Sequence, residues 1–204
     1  MLDPTSLTLL AITDDLRDGR DGLVARATAA VRGGATMLQL RLKDADARTT
    51  VEVARALLAV ITVPLVVNDR ADVALAVGAA GVHLGPDDLP VRAVRRFAPE
   101  GFLIGVSVGN DAEIAGAVGA DYVGIGPVYA TASKHDAGDA IGVEAFARLA
   151  RACALPAVAI GGITAENAAP LMAVGAAGVA VISAVFRAPD VEAAARAIRS
   201  AIGT

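Results

Sequence analysis

Eighteen residues of this chain are basic, and only two of them, Lys43 and Lys134, are lysines. Where arginine supplies the general surface charge, a retained lysine points to work a guanidinium does poorly. A compact ammonium binds phosphate as a point charge or, once desolvated, forms a Schiff base. Both lysines follow strand-like runs, at 37–42 and 124–129, although an arginine-biased composition could also leave two survivors there. The row Gln39-Leu40-Arg41-Leu42-Lys43 alternates, so as a strand it sets Gln39, Arg41 and Lys43 on one face and the leucines on the other. Charge of one sign on an inward face needs an anionic partner, either a structural carboxylate or a bound ligand.

Further chemistry-bearing residues stand at the ends of other apolar runs. Asn68-Asp69-Arg70 and Gly85-Pro86-Asp87-Asp88 bring carboxylates that could hold Mg²⁺ through one or two oxygens while a diphosphate supplies others. One of Asp87 and Asp88 could instead cap a helix beginning near Pro90. Ser107 ends another run. No nearby His/Asp pattern supports a nucleophilic triad, which leaves a substrate hydrogen bond or an ordinary strand-end serine. The segment 129–138 carries Thr131, Ser133, Lys134 and His135. It is long for a connection and suited to closing over phosphate oxygens. His135 reads as an acid–base group or a solvent-facing side chain, and His83, inside an apolar run, as a hydrogen-bonded interior histidine. Gly161-Gly162-Ile163-Thr164 and Val181-Ile182-Ser183 offer backbone amides and a helix start to an anion. Two anion sites and one Mg²⁺ at a common mouth follow from these residues.

The elements that must position them are regular. Strand-like runs at 7–13, 37–42, 64–68, 81–85, 103–108, 122–128, 157–161 and 178–183 alternate with helix-period segments at 21–32, 47–59, 70–78, 90–98, 111–118, 143–153, 165–174 and 190–201. Gly-Ala pairs at 34–35, 78–79, 119–120 and 175–176 enter every second strand. Eight such units in 204 residues predict a single-domain (β/α)8 TIM barrel spanning 1–204, with its chemistry at the C-terminal strand ends. A doubly wound open sheet is the alternative. The core is rich in Ala, Val, Leu and Ile, with 3% aromatic residues and no Trp, as parallel α/β proteins are. A net charge of −4 and few aromatics exclude a general nucleic-acid surface. Lone Cys153 excludes an intramolecular disulfide and reads as a small core residue, and no Cys/His cluster has zinc spacing. A mean hydropathy of +0.57 without a leader or long apolar span predicts a cytoplasmic protein, not a membrane one.

Taken in order, the blocks 39–43, 68–70, 81–90, 105–107, 124–134, 159–164 and 181–183 make the chain resemble the thiamine phosphate synthase family over essentially its whole length. The resemblance implies Mg²⁺-dependent coupling of 4-amino-2-methyl-5-(diphosphooxymethyl)pyrimidine to 4-methyl-5-(2-phosphooxyethyl)thiazole, or its carboxylated form. Thiamine phosphate and diphosphate are the products, formed by a dissociative route through a pyrimidine methyl cation. It implies that Gln39, Arg41, Lys43, Asn68 and Lys134 grip the diphosphate and that Ser107 contacts the pyrimidine. Thr131, Ser133, Gly162, Ile182 and Ser183 would hold the thiazole phosphate, and Asp69 and Asp88 the metal. Lys134, Arg41 and Ser107 stand as the catalytic candidates. Two departures stand out: Leu42 replaces an acidic residue usual in the family, and Val108-Gly109 replaces a frequent Thr-His. Alternative readings are a thiazole tautomerase of the same fold, a Schiff-base aldolase, and a non-catalytic binder of thiamine precursors. Small-molecule substrates are the expected partners, with homo-oligomerisation compatible with the sequence.

Overall fold

The computed structural model describes residues 2–131 and 138–203. Eight short strands, β1 (Leu9–Ile12), β2 (Met37–Leu40), β3 (Leu65–Asn68), β4 (Gly81–Leu84), β5 (Leu103–Val108), β6 (Tyr122–Ile125), β7 (Ala157–Ile160) and β8 (Gly178–Val181), close into one parallel barrel in sequence order. Every neighbouring pair is parallel, and β8 returns to β1 through Leu10 opposite Ala180. The expected (β/α)8 architecture is present, and the open sheet is not.

Around it run α1 (Gly19–Arg32), α2 (Ala47–Leu58), α3 (Ala71–Val77), α4 (Val91–Arg95), α5 (Gly142–Cys153), α6 (Ala169–Ala173), α7 (Ser183–Phe186) and α8 (Val191–Ala201). Alternation in the strands builds two buried clusters. One face packs Leu10, Ile12, Met37, Val66, Tyr122 and Val158 inside the barrel. The other packs Leu38, Leu40, Val67, Val82 and Ile104 against the helices. Leu42 continues the outward row and leans on that outer cluster, as its place in the alternation predicts. Cys153 ends α5, half-buried against the same cluster.

The four Gly-Ala entries work as punctuation. Gly34, Gly78, Gly119 and Gly175 all have positive φ, and the alanine N–H after Gly34, Gly78 and Gly175 bonds back to a carbonyl of the preceding helix.

Several boundaries differ from expectation. Leu7 belongs to a 3-10 helix (Pro4–Leu7) capped by Asp3, so β1 starts later. Pro127 has no N–H to give a ladder, and β6 ends at Ile125. The segment expected as a helix at 111–118 is a 3-10 helix (Asp111–Ala117) capped by Asn110, and Gly116 weakens it as an α-helix. In α6, Pro170 sits at the N-terminal turn and delays the start to Ala169. Ile182 and Ser183, expected to end β8, instead open α7, a short helix that the sequence pattern merged with the strand. Among the described residues, no helix is long and apolar enough to cross a membrane.

Candidate active site

A cavity of about 760 Å³ opens at the C-terminal ends of the strands. Its wall contains Arg41, Lys43, Asn68, Asp69, Asp88, Ser107, Thr131, Gly162, Ile182 and Ser183, which the sequence singled out from separate segments. Gln39 is different. It shares the Arg41 face, but it is 3% exposed, lies one pleat deeper, and is not part of the wall. Ser133, Lys134 and His135 lie outside the described residues.

The side of the cavity formed by β2, β3 and β4 is charged. Arg41 follows the end of β2, where Thr13 completes the ladder that β1 has left. The Thr13 hydroxyl donates to the Arg41 carbonyl at 3.1 Å and accepts from the Arg41 N–H at 2.9 Å. Nε of Arg41 is buried and has no hydrogen-bond partner among the described residues, which suits a guanidinium awaiting an anion. Asp69 has φ 64°, a left-handed conformation uncommon outside glycine, and its N–H donates to the His83 carbonyl at 2.8 Å. That turn aims the Asp69 carboxyl at Asp88. Burial first, and then the neighbouring Asp88, push the Asp69 carboxyl up to about 6, while Lys43 and Arg41 pull the other way. Asp88 is held by the Gly85 N–H, which donates to its Oδ2 at 2.7 Å.

Asp87 and Asp88 are placed differently by this geometry. Helix α4 has Pro90 at its N-cap with no side-chain cap, so the capping role expected for one aspartate is not taken by either. Asp87 is exposed and Asp88 faces Asp69. Among the described residues no cluster of three or more His, Cys, Asp or Glu could hold a metal. A pair of crowded carboxylates beside open cavity nonetheless fits Mg²⁺, which keeps water or substrate oxygens in its remaining positions.

The opposite side is lined mainly by backbone, with Arg187 at its rim. Gly161 and Gly162 have φ of 99° and 63°, and a Cβ on Gly162 would stand 2.5 Å from the Ala130 carbonyl oxygen. Asn167 braces this loop. Its Oδ1 accepts from the Thr164 N–H at 2.8 Å, its Nδ2 donates to the Gly162 carbonyl at 2.9 Å, and its own carbonyl accepts from the Tyr129 hydroxyl at 3.0 Å. Ser183 begins α7 beside it. Barrels of this architecture commonly bind phosphate between the loops after β7 and β8 and a short extra helix. Arg187, just after α7, also reaches the mouth, with Nε 3.9 Å from Oδ2 of the buried Asp14.

Four contributors went unmarked in the sequence: Thr13, Asn167, Glu113 and Arg187. Glu113 Oε2 accepts from the Gly109 N–H at 2.6 Å and Oε1 from Asn110 Nδ2 at 2.7 Å, bracing the segment where the expected family pattern is altered. A serine–histidine contact was also missed. Ser107 Oγ lies 3.1 Å from Nε2 of His83, whose other nitrogen meets the Tyr122 hydroxyl. The expectation that His83 is a satisfied interior histidine agrees with those contacts.

Comparison with known proteins gives this geometry a lineage. A family model described as thiamine monophosphate synthase matches residues 9–185. The thiamine-phosphate synthase of Azorhizobium caulinodans is 47% identical, with 100% of this chain and 99% of that protein aligned. That of Methanoculleus marisnigri is 51% identical over 86% of each. The solved thiamine phosphate pyrophosphorylase of Pyrococcus furiosus superposes with a TM-score of 0.88 at 39% identity, covering 98% of this chain and 96% of that one. A 3-hexulose-6-phosphate synthase at 16% identity and TM-score 0.71 shares the fold alone. With its family motifs gathered on one cavity wall and full-length relatives near half identity, the chain belongs to the thiamine monophosphate synthase family.

Proposed function

We propose that this protein couples 4-amino-2-methyl-5-(diphosphooxymethyl)pyrimidine to 4-methyl-5-(2-phosphooxyethyl)thiazole, or its carboxylated form, releasing diphosphate and thiamine phosphate. The observation that carries the reading is one cavity with two unlike sides, each suited to an anion. A cationic, carboxylate-bearing side is formed by Arg41, Lys43, Asn68, Asp69 and Asp88, and a backbone-lined side by Gly162, Ile182 and Ser183.

In this reading Arg41, Lys43 and Asn68 bind the diphosphate, joined by Lys134 from the 129–138 segment. Gln39, which the family resemblance assigns to the diphosphate, lies one pleat deeper than the wall and would act from behind Arg41. Asp69 and Asp88 would hold Mg²⁺, which when bound neutralises charge on the leaving diphosphate. The bond between the pyrimidine methylene and the diphosphate oxygen breaks with its electron pair leaving on oxygen. The arginine–lysine row stabilises that growing charge, and preorganised cations do so without reorganisation cost. The thiazole nitrogen then donates its lone pair to the methylene carbon, forming the C–N bond. Thr131, Ser133, Gly162, Ile182 and Ser183 hold the thiazole phosphate so that the nitrogen is in line. Ser107 orients the pyrimidine. No proton need be moved by a strong base, and among the described residues the cavity wall includes no histidine.

The test is a coupling assay with both phosphorylated precursors, with and without Mg²⁺, read out as thiamine phosphate. Mg²⁺-dependent product is expected, with loss of at least about 100-fold in Lys134→Ala and in Asp69→Ala. Full activity in both variants would refute the diphosphate–Mg²⁺ site. Thiazole isomerisation without coupling would assign the tautomerase reaction, and binding of both precursors without turnover a non-catalytic role.

A further inference from the structure

Strands β4, β5 and β6 carry a polar chain through the barrel interior, of which the proposed reaction uses only the last member. Tyr122 is 1% exposed and His83 is 9% exposed. The Tyr122 hydroxyl lies 3.1 Å from His83 Nδ1, and His83 Nε2 lies 3.1 Å from Ser107 Oγ, at the cavity wall. Two glycines make the room. A Cβ on Gly105 would stand 2.2 Å from Tyr122 Cζ and 2.6 Å from His83 Nδ1, and one on Gly124 would stand 3.1 Å from His83 Cε1. The register explains the pattern, because Gly105 pairs with His83 on one side and Tyr122 on the other, while Gly124 pairs with Ser107. Three polar side chains therefore occupy slots that two glycines leave open, which marks a built feature of the barrel.

Counting hydrogens gives the chain a direction. His83 Nδ1 is the hydrogen-bond partner of the Tyr122 phenol among the described residues. Were Nδ1 protonated, it would donate to the phenol oxygen and leave the buried phenol hydrogen without an acceptor among the described residues, a costly arrangement. Tyr122 therefore donates to Nδ1, the imidazole proton sits on Nε2, and Nε2–H donates to Ser107 Oγ. The serine's own hydrogen is then directed away from His83. Burial, with Asp121 nearby, holds the phenol's ionisation well above its usual range, so the donor at the start of the chain stays in place.

We infer that Tyr122 and His83 are positioning residues that fix the Ser107 hydroxyl as a hydrogen-bond donor to a ring-nitrogen acceptor of the pyrimidine, an inference resting on the function proposed above. The same direction withholds His83 as a base: its Nε2 carries a proton and faces the serine, so the serine is not deprotonated toward it. The pocket thereby offers the serine hydrogen to a heteroaromatic ring presenting a lone pair at this point.

The chain has two histidines, His83 and His135, which makes the tautomer directly readable. In ¹⁵N-histidine-labelled protein, with His135→Asn to assign the signals, His83 should show a protonated Nε2 and an unprotonated Nδ1 at pH 8. In Tyr122→Phe, which keeps the buried ring, the population should move toward the Nδ1–H form. Its kcat/KM for the pyrimidine diphosphate should fall about 10-fold, as for one misdirected hydrogen bond, with KM for the thiazole phosphate unchanged. Coupling activity in the wild type together with an Nδ1–H tautomer would overturn the inference and leave the proposed function standing. Unchanged kcat/KM in Tyr122→Phe would also overturn it. Absent coupling with the Nε2–H tautomer would sink the function while supporting the donor direction.

Discussion

Replacing Asp69 with asparagine should make the metal-free protein more stable at neutral and alkaline pH, although it removes a proposed metal ligand. The Asp69 carboxyl is raised from 3.8 to about 6, so the folded state holds its proton more tightly than the unfolded chain does. Its stabilising effect is therefore complete below the unfolded value and is lost as pH rises through about 6. Roughly two units at ~1.36 kcal/mol each would give about 3 kcal/mol for a dry group. Asp69 is half-buried and solvent screens it, so about 1–1.5 kcal/mol is the working figure. In a domain of this size that corresponds to a Tm rise of roughly 2–6 °C at pH 8, vanishing near pH 4. Asparagine tolerates the left-handed backbone at this position, so no new strain enters. Thermal melts at pH 4, 6 and 8, each with and without Mg²⁺, provide the assay. Wild-type protein should gain stability from Mg²⁺ at pH 8 and lose that gain below pH 6, whereas Asp69→Asn should gain nothing. A lower Tm for the variant at pH 8, or an undiminished Mg²⁺ response, would refute the reasoning.

Two further substitutions probe the rest of the wall. Gly162→Ala must place a Cβ 2.5 Å from the Ala130 carbonyl oxygen at φ 63°, so the loop should shift. KM for the thiazole phosphate should rise at least about 10-fold with a smaller change for the pyrimidine diphosphate, checked by steady-state kinetics with each substrate varied in turn. Thr13→Val keeps the shape but strips both hydrogen bonds from the Arg41 backbone. Denaturant melts should show a loss of about 1–3 kcal/mol, and kcat/KM for the pyrimidine diphosphate should fall with it.

The barrel was legible because each strand's alternation, each Gly-Ala entry and each strand-end polar residue pointed to one architecture. Arg41 and Lys43 could be assigned to an inward face from β2 alone. Depth was not legible: Gln39 shares that face, yet whether it borders the cavity depends on the tilt of the closed barrel. Thr13 reads as an ordinary strand-end threonine until β2 is placed beside it. The Tyr122–His83–Ser107 chain joins residues 39 and 24 positions apart, and the register of three strands must be known before it can be seen. Helix ends were the least legible, since α4 and α6 keep only part of their apolar-periodic segments and α7 is a single turn begun within an apolar run. Asn167 carries a sequence signal in retrospect, because an Asx residue three positions after Thr164 can close a turn on it.

On the proposed function, the charges in the cavity favour binding the metal and the diphosphate together. Without ligand, Asp69 and Asp88 crowd each other while Arg41 and Lys43 offset them only in part. A diphosphate alone would satisfy the cations but add negative charge beside two carboxylates. Mg²⁺ alone would find two protein ligands and must keep the rest of its shell as water, which makes a weak site. Bound together, each removes the other's penalty. Coupling of this kind is reciprocal, so inorganic diphosphate should tighten Mg²⁺ binding by the factor by which Mg²⁺ tightens diphosphate, expected to be about 10-fold or more. Calorimetric titrations of each ligand in the presence and absence of the other, corrected for the Mg²⁺–diphosphate complex in solution, measure both factors. In Asp69→Asn the coupling should collapse toward one while diphosphate binding itself persists through Arg41 and Lys43. Equal Mg²⁺ affinity with and without diphosphate would mean that the two carboxylates serve the fold, and that the cationic row alone stabilises the leaving group.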